Sequence, residues 1–231
     1  MVMNKKEWIK DGILYTLIDG ELYTRNMNIK GAMTLIDGNI RRLVLFESPS
    51  RLDLNFEPNL RKLPIYVIEE AIKFAAHKHL NQRRKYTGEP YFLHCYEVAN
   101  IVTWAAEYDE NMIAAAFLHD VVEDCEVTIE DIQYQFGEDI ATLVDELTDI
   151  STLCHGNRTV RKEIDRLHIA KASPRAKTIK LADCISNTSS IREYDPRFAK
   201  IYLAEKRELL KVLVDGDDHL FKLAYKCIML D

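Results

Sequence analysis

The chain has 231 residues, of which 47% are hydrophobic and 29% charged, enough for one ordinary domain plus a small appendage and too apolar for a disordered or fibrous protein. A net charge of −6 excludes the broad basic surface of a general nucleic-acid binder but leaves room for a local cationic pocket and a small anionic ligand. Cys95, Cys125, Cys154, Cys184 and Cys227 are odd in number and form no C-x-x-C pair, which argues against a disulfide framework or thiolate zinc site and fits a reducing cytoplasm. Residues 1–10 lack a signal-peptide core, and no later run reaches membrane-spanning length, so no membrane association is expected.

Residues 1–63 read as a small β-rich N-terminal segment and linker. Apolar runs such as Ile13-Leu14-Tyr15-Thr16-Leu17-Ile18 and Leu43-Val44-Leu45-Phe46 are punctuated by Asp19-Gly20 and Asp37-Gly38, and aspartate followed by glycine suits a hairpin turn. Thr16-Leu17-Ile18-Asp19-Gly20 recurs as Thr34-Leu35-Ile36-Asp37-Gly38, which predicts two strand-turn units of a β-meander. Residues 48–63, with Pro49 and Pro58, read as a linker.

From Pro64 the period becomes helical, and residues 64–231 are expected to be mainly α. Ile65, Ile68, Ile72 and Ala75 fall on one face, while Lys73 and Lys78 can face water. Thr128 before Ile129-Glu130-Asp131 resembles a capping box, and Gly137 closes that helix. Ser173-Pro174 and Asp195-Pro196 each offer an N-cap followed by proline. Seven to nine helices are expected, ending near residues 220–229.

The chemically informative stretch is Ala114-Ala115-Ala116-Phe117-Leu118-His119-Asp120-Val121-Val122-Glu123-Asp124. If the helix continues through it, His119 and Glu123, and likewise Asp120 and Asp124, project in pairs with Cβ atoms about 5–6 Å apart, a geometry suited to a metal and its water. Such charge beside an apolar run is costly to bury unless paired or bound to a cation. A lone His-Asp pair is more often a solvated helix end. Two further segments add weight: Tyr91-Phe92-Leu93-His94, after the basic stretch Arg83-Arg84-Lys85, and Lys180-Leu181-Ala182-Asp183, with Asn187 one turn on.

Together these segments resemble the HD superfamily, and within it the RelA/SpoT-type hydrolase domains and small alarmone hydrolases of the metazoan SpoT homologue kind. The motifs carrying the resemblance are Gly88-Glu89-Pro90-Tyr91 with His94, Leu118 through Asp124, Phe136-Gly137, Val144-Asp145 with Thr148, and Lys180-Leu181-Ala182-Asp183 with Asn187. The resemblance implies an HD-domain helical bundle with one divalent metal held by His94, His119, Asp120 and Asp183. Mn²⁺ is the family's usual ion, while the ligand types leave Zn²⁺, Fe²⁺ and Co²⁺ open. Glu123 and Asp124 match the family's catalytic acid pair, which orients or deprotonates the attacking water. Arg84, Lys85, Thr87 and Asn187 match its substrate contacts.

The chain also departs from the family. Cys95 follows the first metal histidine where proline is common. Cys184-Ile185-Ser186 stand where Arg-Leu-His often precedes the asparagine, and Ser189 occupies a position often basic. These changes spare the ligands and bear on specificity. His77, His79, His155, His168 and His219 are read as structural or surface residues and the cysteines as small core residues, while Asn157, Arg158, Arg161 and Lys162 could face an anionic ligand, with a solvated helix face the preferred reading.

The implied activity is hydrolysis of the 3′-pyrophosphate of ppGpp, releasing GDP and pyrophosphate. Two alternatives remain: an HD phosphohydrolase acting on another nucleotide, such as a nucleoside monophosphate or an NADPH-like molecule, and a weakly active nucleotide-sensing or partner-binding protein. The N-terminal segment leaves room for homo-oligomer or partner contact.

Overall fold

The computed structural model describes strand segments between residues 5 and 45, residues 64–105 and residues 109–229. The chain divides into two units, Met1–Asn59 and Leu60–Asp231. In the first, β1 (Lys5–Lys10), β2 (Ile13–Ile18), β3 (Glu21–Asn26), β4 (Ala32–Asp37) and β5 (Asn39–Leu45) form an antiparallel sheet in sequence order. Ile18 lies opposite Glu21, the register of a two-residue connection. Gly20, Gly38 and the expected linker at 48–63 fall outside the described residues.

The second unit is helical. Its elements are α1 (Pro64–Lys78), α2 (Phe92–Ala105), α3 (Glu110–Leu118), α4 (Val121–Asp124), α5 (Ile129–Phe136), α6 (Glu138–Leu147), α7 (Arg158–Ile169), α8 (Pro174–Tyr194), α9 (Pro196–Leu210) and α10 (Asp218–Met229). Ten α-helices among the described residues exceed the expected seven to nine. An added element comes from a short break, the turn that parts α3 from α4, while Gly137, at φ 92°, closes α5 before α6 as expected. The local signals act as expected. Thr128 and Asp131 form a reciprocal capping box, and the Ser173 and Asp195 side chains accept from Ala176 N and Phe198 N. Among the described residues no helix is long and apolar enough to cross a membrane.

α3 is the hub. Ala114, Ala115, Ala116 and Leu118 are wholly buried, and these small side chains let α1, α2, α6 and α8 approach α3. Its start is fixed by Asp109, which accepts from Met112 N at 3.0 Å. Such a cap contributes about 1 kcal/mol. Arg175 holds that carboxylate at 2.7 and 2.8 Å and reaches Asp139, tying the cap to α6 and α8.

α8 buries Ile179, Leu181, Ala182 and Cys184 among α2, α6, α9 and α10. The turn between α9 and α10 presses on it at Gly216. A Cβ there would lie 2.8 Å from Leu181 Cδ1 and 3.2 Å from backbone atoms of Lys177 and Thr178. Thus α3 delivers the His-Asp pair, and α8 carries Asp183 across from it.

Candidate metal centre and substrate cleft

The helix does not run through the His-Asp pair. α3 stops at Leu118, and Asp120 takes φ −104° and ψ −3°, in the sparsely populated bridge region. His119 and Asp120 therefore form a turn, and α4 restarts at Val121. The expected face-sharing pairs do not form from one continuous helix. Instead the turn folds both His119 and Asp120 toward the first turn of α2, which brings His94, and toward the middle of α8, which brings Asp183.

These four side chains converge. His94 Nε2 lies 3.4 Å from Asp183 Oδ1 and 3.6 Å from Asp120 Oδ2, and His119 Nε2 lies 3.0 Å from Asp120 Oδ2. Candidate donor atoms of His94, His119 and Asp120 all fall within 4.8 Å of one another. Both Nε2 atoms are buried without a hydrogen-bond partner. His119 Nδ1 meets the carbonyl oxygen of Ala116 at 2.8 Å, which keeps the ring hydrogen on Nδ1 and leaves Nε2 bare. A bare nitrogen beside a carboxylate is repulsive unless a proton or cation comes between them. Burial pulls the His119 pKa down, but the charge of Asp120, 3.0 Å away, outweighs this and raises it to about 9. Two imidazole nitrogens and two carboxylates facing one centre also fit a divalent cation.

The carboxylates are kept charged. Burial would raise Asp183, yet the Lys180 ammonium, 3.5 Å away, holds it well below the usual range. Burial likewise opposes ionisation of Asp120, and His119 and His94 overcome it. Tyr91 Oη donates to Asp120 at 2.7 Å, and Asn187 Nδ2 donates to Asp183 at 2.5 Å. Burial, with Asp120 next, pushes the Tyr91 hydroxyl far up, so it remains a donor.

This cluster lies at the edge of a cleft of about 640 Å³ lined by Asp120, Glu123, Asp149, Lys180, Asp183 and Tyr202, among others. Glu123 reaches into it and accepts from Asp149 N at 2.7 Å. Burial raises its carboxyl to about 7; Lys180 opposes the shift, while Asp149 and Asp120 add to it. Asp124, the other half of the expected acid pair, turns elsewhere and accepts from Gln82 Nε2 at 2.8 Å. Arg84, Lys85, Thr87 and Asn187 come together around an adjoining pocket of about 230 Å³, with Tyr86, Tyr91, Phe198 and Tyr202. Arg84 Nη2 donates to Asn187 Oδ1 at 3.3 Å, and Lys85 Nζ stands over the Tyr86 and Phe198 rings.

Several contributors were not legible as such in the sequence. Arg158 and Lys162, for which the sequence favours a solvated face over a ligand-facing one, line the large cleft, where they pair with Glu205 and Asp149. Tyr202 and Lys206 reach the cleft from α9 with no motif to mark them. Tyr91 and Lys180 sit inside quoted motifs, which was their only signal. His79 is 1% exposed, in keeping with a structural reading.

The HD-domain family model matches residues 71–211. The chain is similar to the guanosine-3′,5′-bis(diphosphate) 3′-pyrophosphohydrolase MESH1 of Drosophila melanogaster, at 41% identity over 129 residues covering 55% of this chain and 70% of that protein. The Homo sapiens MESH1 is 40% identical over 129 residues, with the same 55% and 70% coverage. The guanosine-3′,5′-bis(diphosphate) 3′-pyrophosphohydrolase of Aquifex aeolicus is 31% identical over 191 residues, 75% of this chain and 27% of that one. A solved structure of a metazoan SpoT orthologue that hydrolyses ppGpp superposes with a TM-score of 0.63 at 32% identity, covering 70% of this chain and 93% of that one.

Proposed function

The chain belongs to the HD-domain family, and from that premise we propose that it is a divalent-metal-dependent hydrolase that converts ppGpp to GDP and pyrophosphate. One observation carries the reading: two buried, unpartnered imidazole nitrogens face Asp120 and Asp183 beside a cleft that also presents Glu123.

His94, His119, Asp120 and Asp183 would hold the cation, and this donor set suits Mn²⁺. When bound, the ion supplies a Lewis acid that acidifies the attacking water and offsets charge on the phosphoryl oxygens. Glu123, with its carboxyl raised to about 7, accepts a proton from that water near neutral pH. Asp124, held by Gln82 on the other side of the turn, is kept as the second acid on the strength of its motif alone. Arg84 and Lys85 bind phosphate, while Thr87 and Asn187 position the nucleoside. Water attacks the phosphorus attached to the ribose 3′ oxygen, that P–O bond breaks, and the 3′ oxygen takes up a proton as pyrophosphate separates.

A second reading, hydrolysis of another nucleotide such as a nucleoside monophosphate or NADPH, is favoured by one observation. Cys184 and Ser186 are buried and supply no cationic or ring contact to the cleft. Incubating Mn²⁺-loaded protein with all three substrate types and identifying products by mass tests both. Preferred turnover of ppGpp supports the first, preferred turnover of another nucleotide supports the second, and no turnover by metal-loaded protein overturns both.

We further assign residues 1–63 to a small β-rich unit with its linker, available to a second copy or a partner, and residues 64–231 to the HD domain. The free cysteines support residence in the cytoplasm.

A further inference from the structure

The two histidines of the centre present Nε2 inward but are backed differently through Nδ1. His119 leans on a backbone carbonyl. His94 Nδ1 meets Ser186 Oγ at 2.9 Å, and Ser186 Oγ donates to Glu97 Oε2 at 2.7 Å. A hydroxyl has one proton, and an ionised carboxylate can only accept. With that proton directed at Glu97, Ser186 meets His94 through a lone pair. The imidazole hydrogen then lies on Nδ1, and Nε2 keeps its lone pair facing Asp120 and Asp183.

The placement is specific. Glu97 lies three residues after His94 on α2, and Ser186 three residues after Asp183 on α8, so each helix that brings a ligand also brings half of this chain. His94 and Ser186 are each 1% exposed, whereas Glu97 is at the surface. Ser186 is absent from the cleft lining, so the residue that departs from the family pattern faces the back of the centre rather than the nucleotide.

We propose that Glu97, acting through Ser186, is a positioning relay that fixes the His94 tautomer and strengthens its hold on a divalent cation. The inference rests on the metal-centre reading above. Neither residue touches the substrate. Outer hydrogen bonds of this kind orient a metal-binding imidazole and raise its basicity, and their loss typically weakens binding about 10- to 100-fold.

The test is Mn²⁺ titration of metal-stripped, full-length protein, with Kd read by calorimetry or chelator competition, alongside the melting temperature of each metal-free protein. Ser186→Ala is expected to weaken binding about 10- to 100-fold and Glu97→Gln about 10-fold. The double variant is expected to be no weaker than Ser186→Ala alone, because Glu97 reaches His94 only through the serine. Ser186→Thr, which keeps a hydroxyl, restores most of the affinity. A contact that merely joins α2 to α8 would lower the metal-free melting temperature and leave Kd unchanged, and that result overturns the relay. Additive losses in the double variant overturn it as well. Wild-type protein that binds no Mn²⁺ overturns the metal centre and the relay together. Because Kd requires no turnover, failure of the ppGpp assignment is read separately.

Discussion

Glu123→Gln removes the proposed proton acceptor while preserving its shape. Glu123 Oε1 accepts from Asp149 N, and a glutamine carbonyl can accept the same bond, so the turn keeps its tie beyond α6. The four proposed ligands are untouched, and metal content should not change. What disappears is a positioned base, worth about 10²- to 10⁴-fold in rate. At about 1.4 kcal/mol per factor of ten, the barrier rises by about 3–6 kcal/mol. The pH profile gives a second signature. The active form is the carboxylate, so wild-type kcat climbs as pH approaches the Glu123 value of about 7. A bound cation favours the charged form and moves that limb toward lower pH. The variant has no such group and should lack the limb.

Folding reads the same carboxyl with the opposite sign. A pKa raised from 4.5 to about 7 favours the folded state below the lower value, and this benefit is lost as pH rises through the higher one. Metal-free Glu123→Gln should therefore gain stability relative to metal-free wild type between about pH 4 and about pH 8. Pyrophosphate release and denaturant unfolding, each followed across pH, measure the two effects. A variant within tenfold of wild type, or one that keeps the acid limb, refutes Glu123 as the base.

Asp120→Ala should abolish metal retention, read as metal content per chain after gel filtration; near-stoichiometric metal would contradict the proposed ligand set. Arg84→Ala should lower kcat/KM for ppGpp about 10- to 100-fold, mainly through KM, since a hydrogen bond to a charged group contributes about 1.5–3 kcal/mol. An unchanged KM would remove Arg84 from the substrate pocket. Gly216→Ala forces a methyl against Leu181 and the α8 backbone and should cost about 1–3 kcal/mol. At about 2–4 °C per kcal/mol for a unit of this size, the metal-free melting temperature falls measurably; an unaltered value would show that the turn yields freely.

Features governed by neighbours in sequence were the readable ones. The caps at Thr128, Ser173 and Asp195 need only a side chain and the amide three residues on, and the structure has all three. The break after Leu118 was not readable, because the apolar pattern runs on into Val121 and Val122 and only tertiary placement of His119 and Asp120 interrupts the helix. The grouping of His94, His119, Asp120 and Asp183 came from motif resemblance rather than periodicity, since no local rule joins residues so far apart. Contacts behind and around that grouping, from Tyr91, Ser186 and Glu97, depend on how α2 and α8 lie against the turn. Arg158 and Lys162 looked like an ordinary wet face because the opposite wall of their cleft is built by α9, some forty residues away.

Two turns of α8 present Lys180 and Asp183 to the cleft, Asn187 to the nucleoside pocket and Ser186 to the rear of His94. A helix adds about 100° and 1.5 Å per residue, so inserting one residue between Lys180 and Asn187 would swing every later group away from its target at once. Insertions in α8 are therefore tolerable only toward its ends, and any drift in how that rod rolls against α2 would alter cation hold and nucleotide fit in concert.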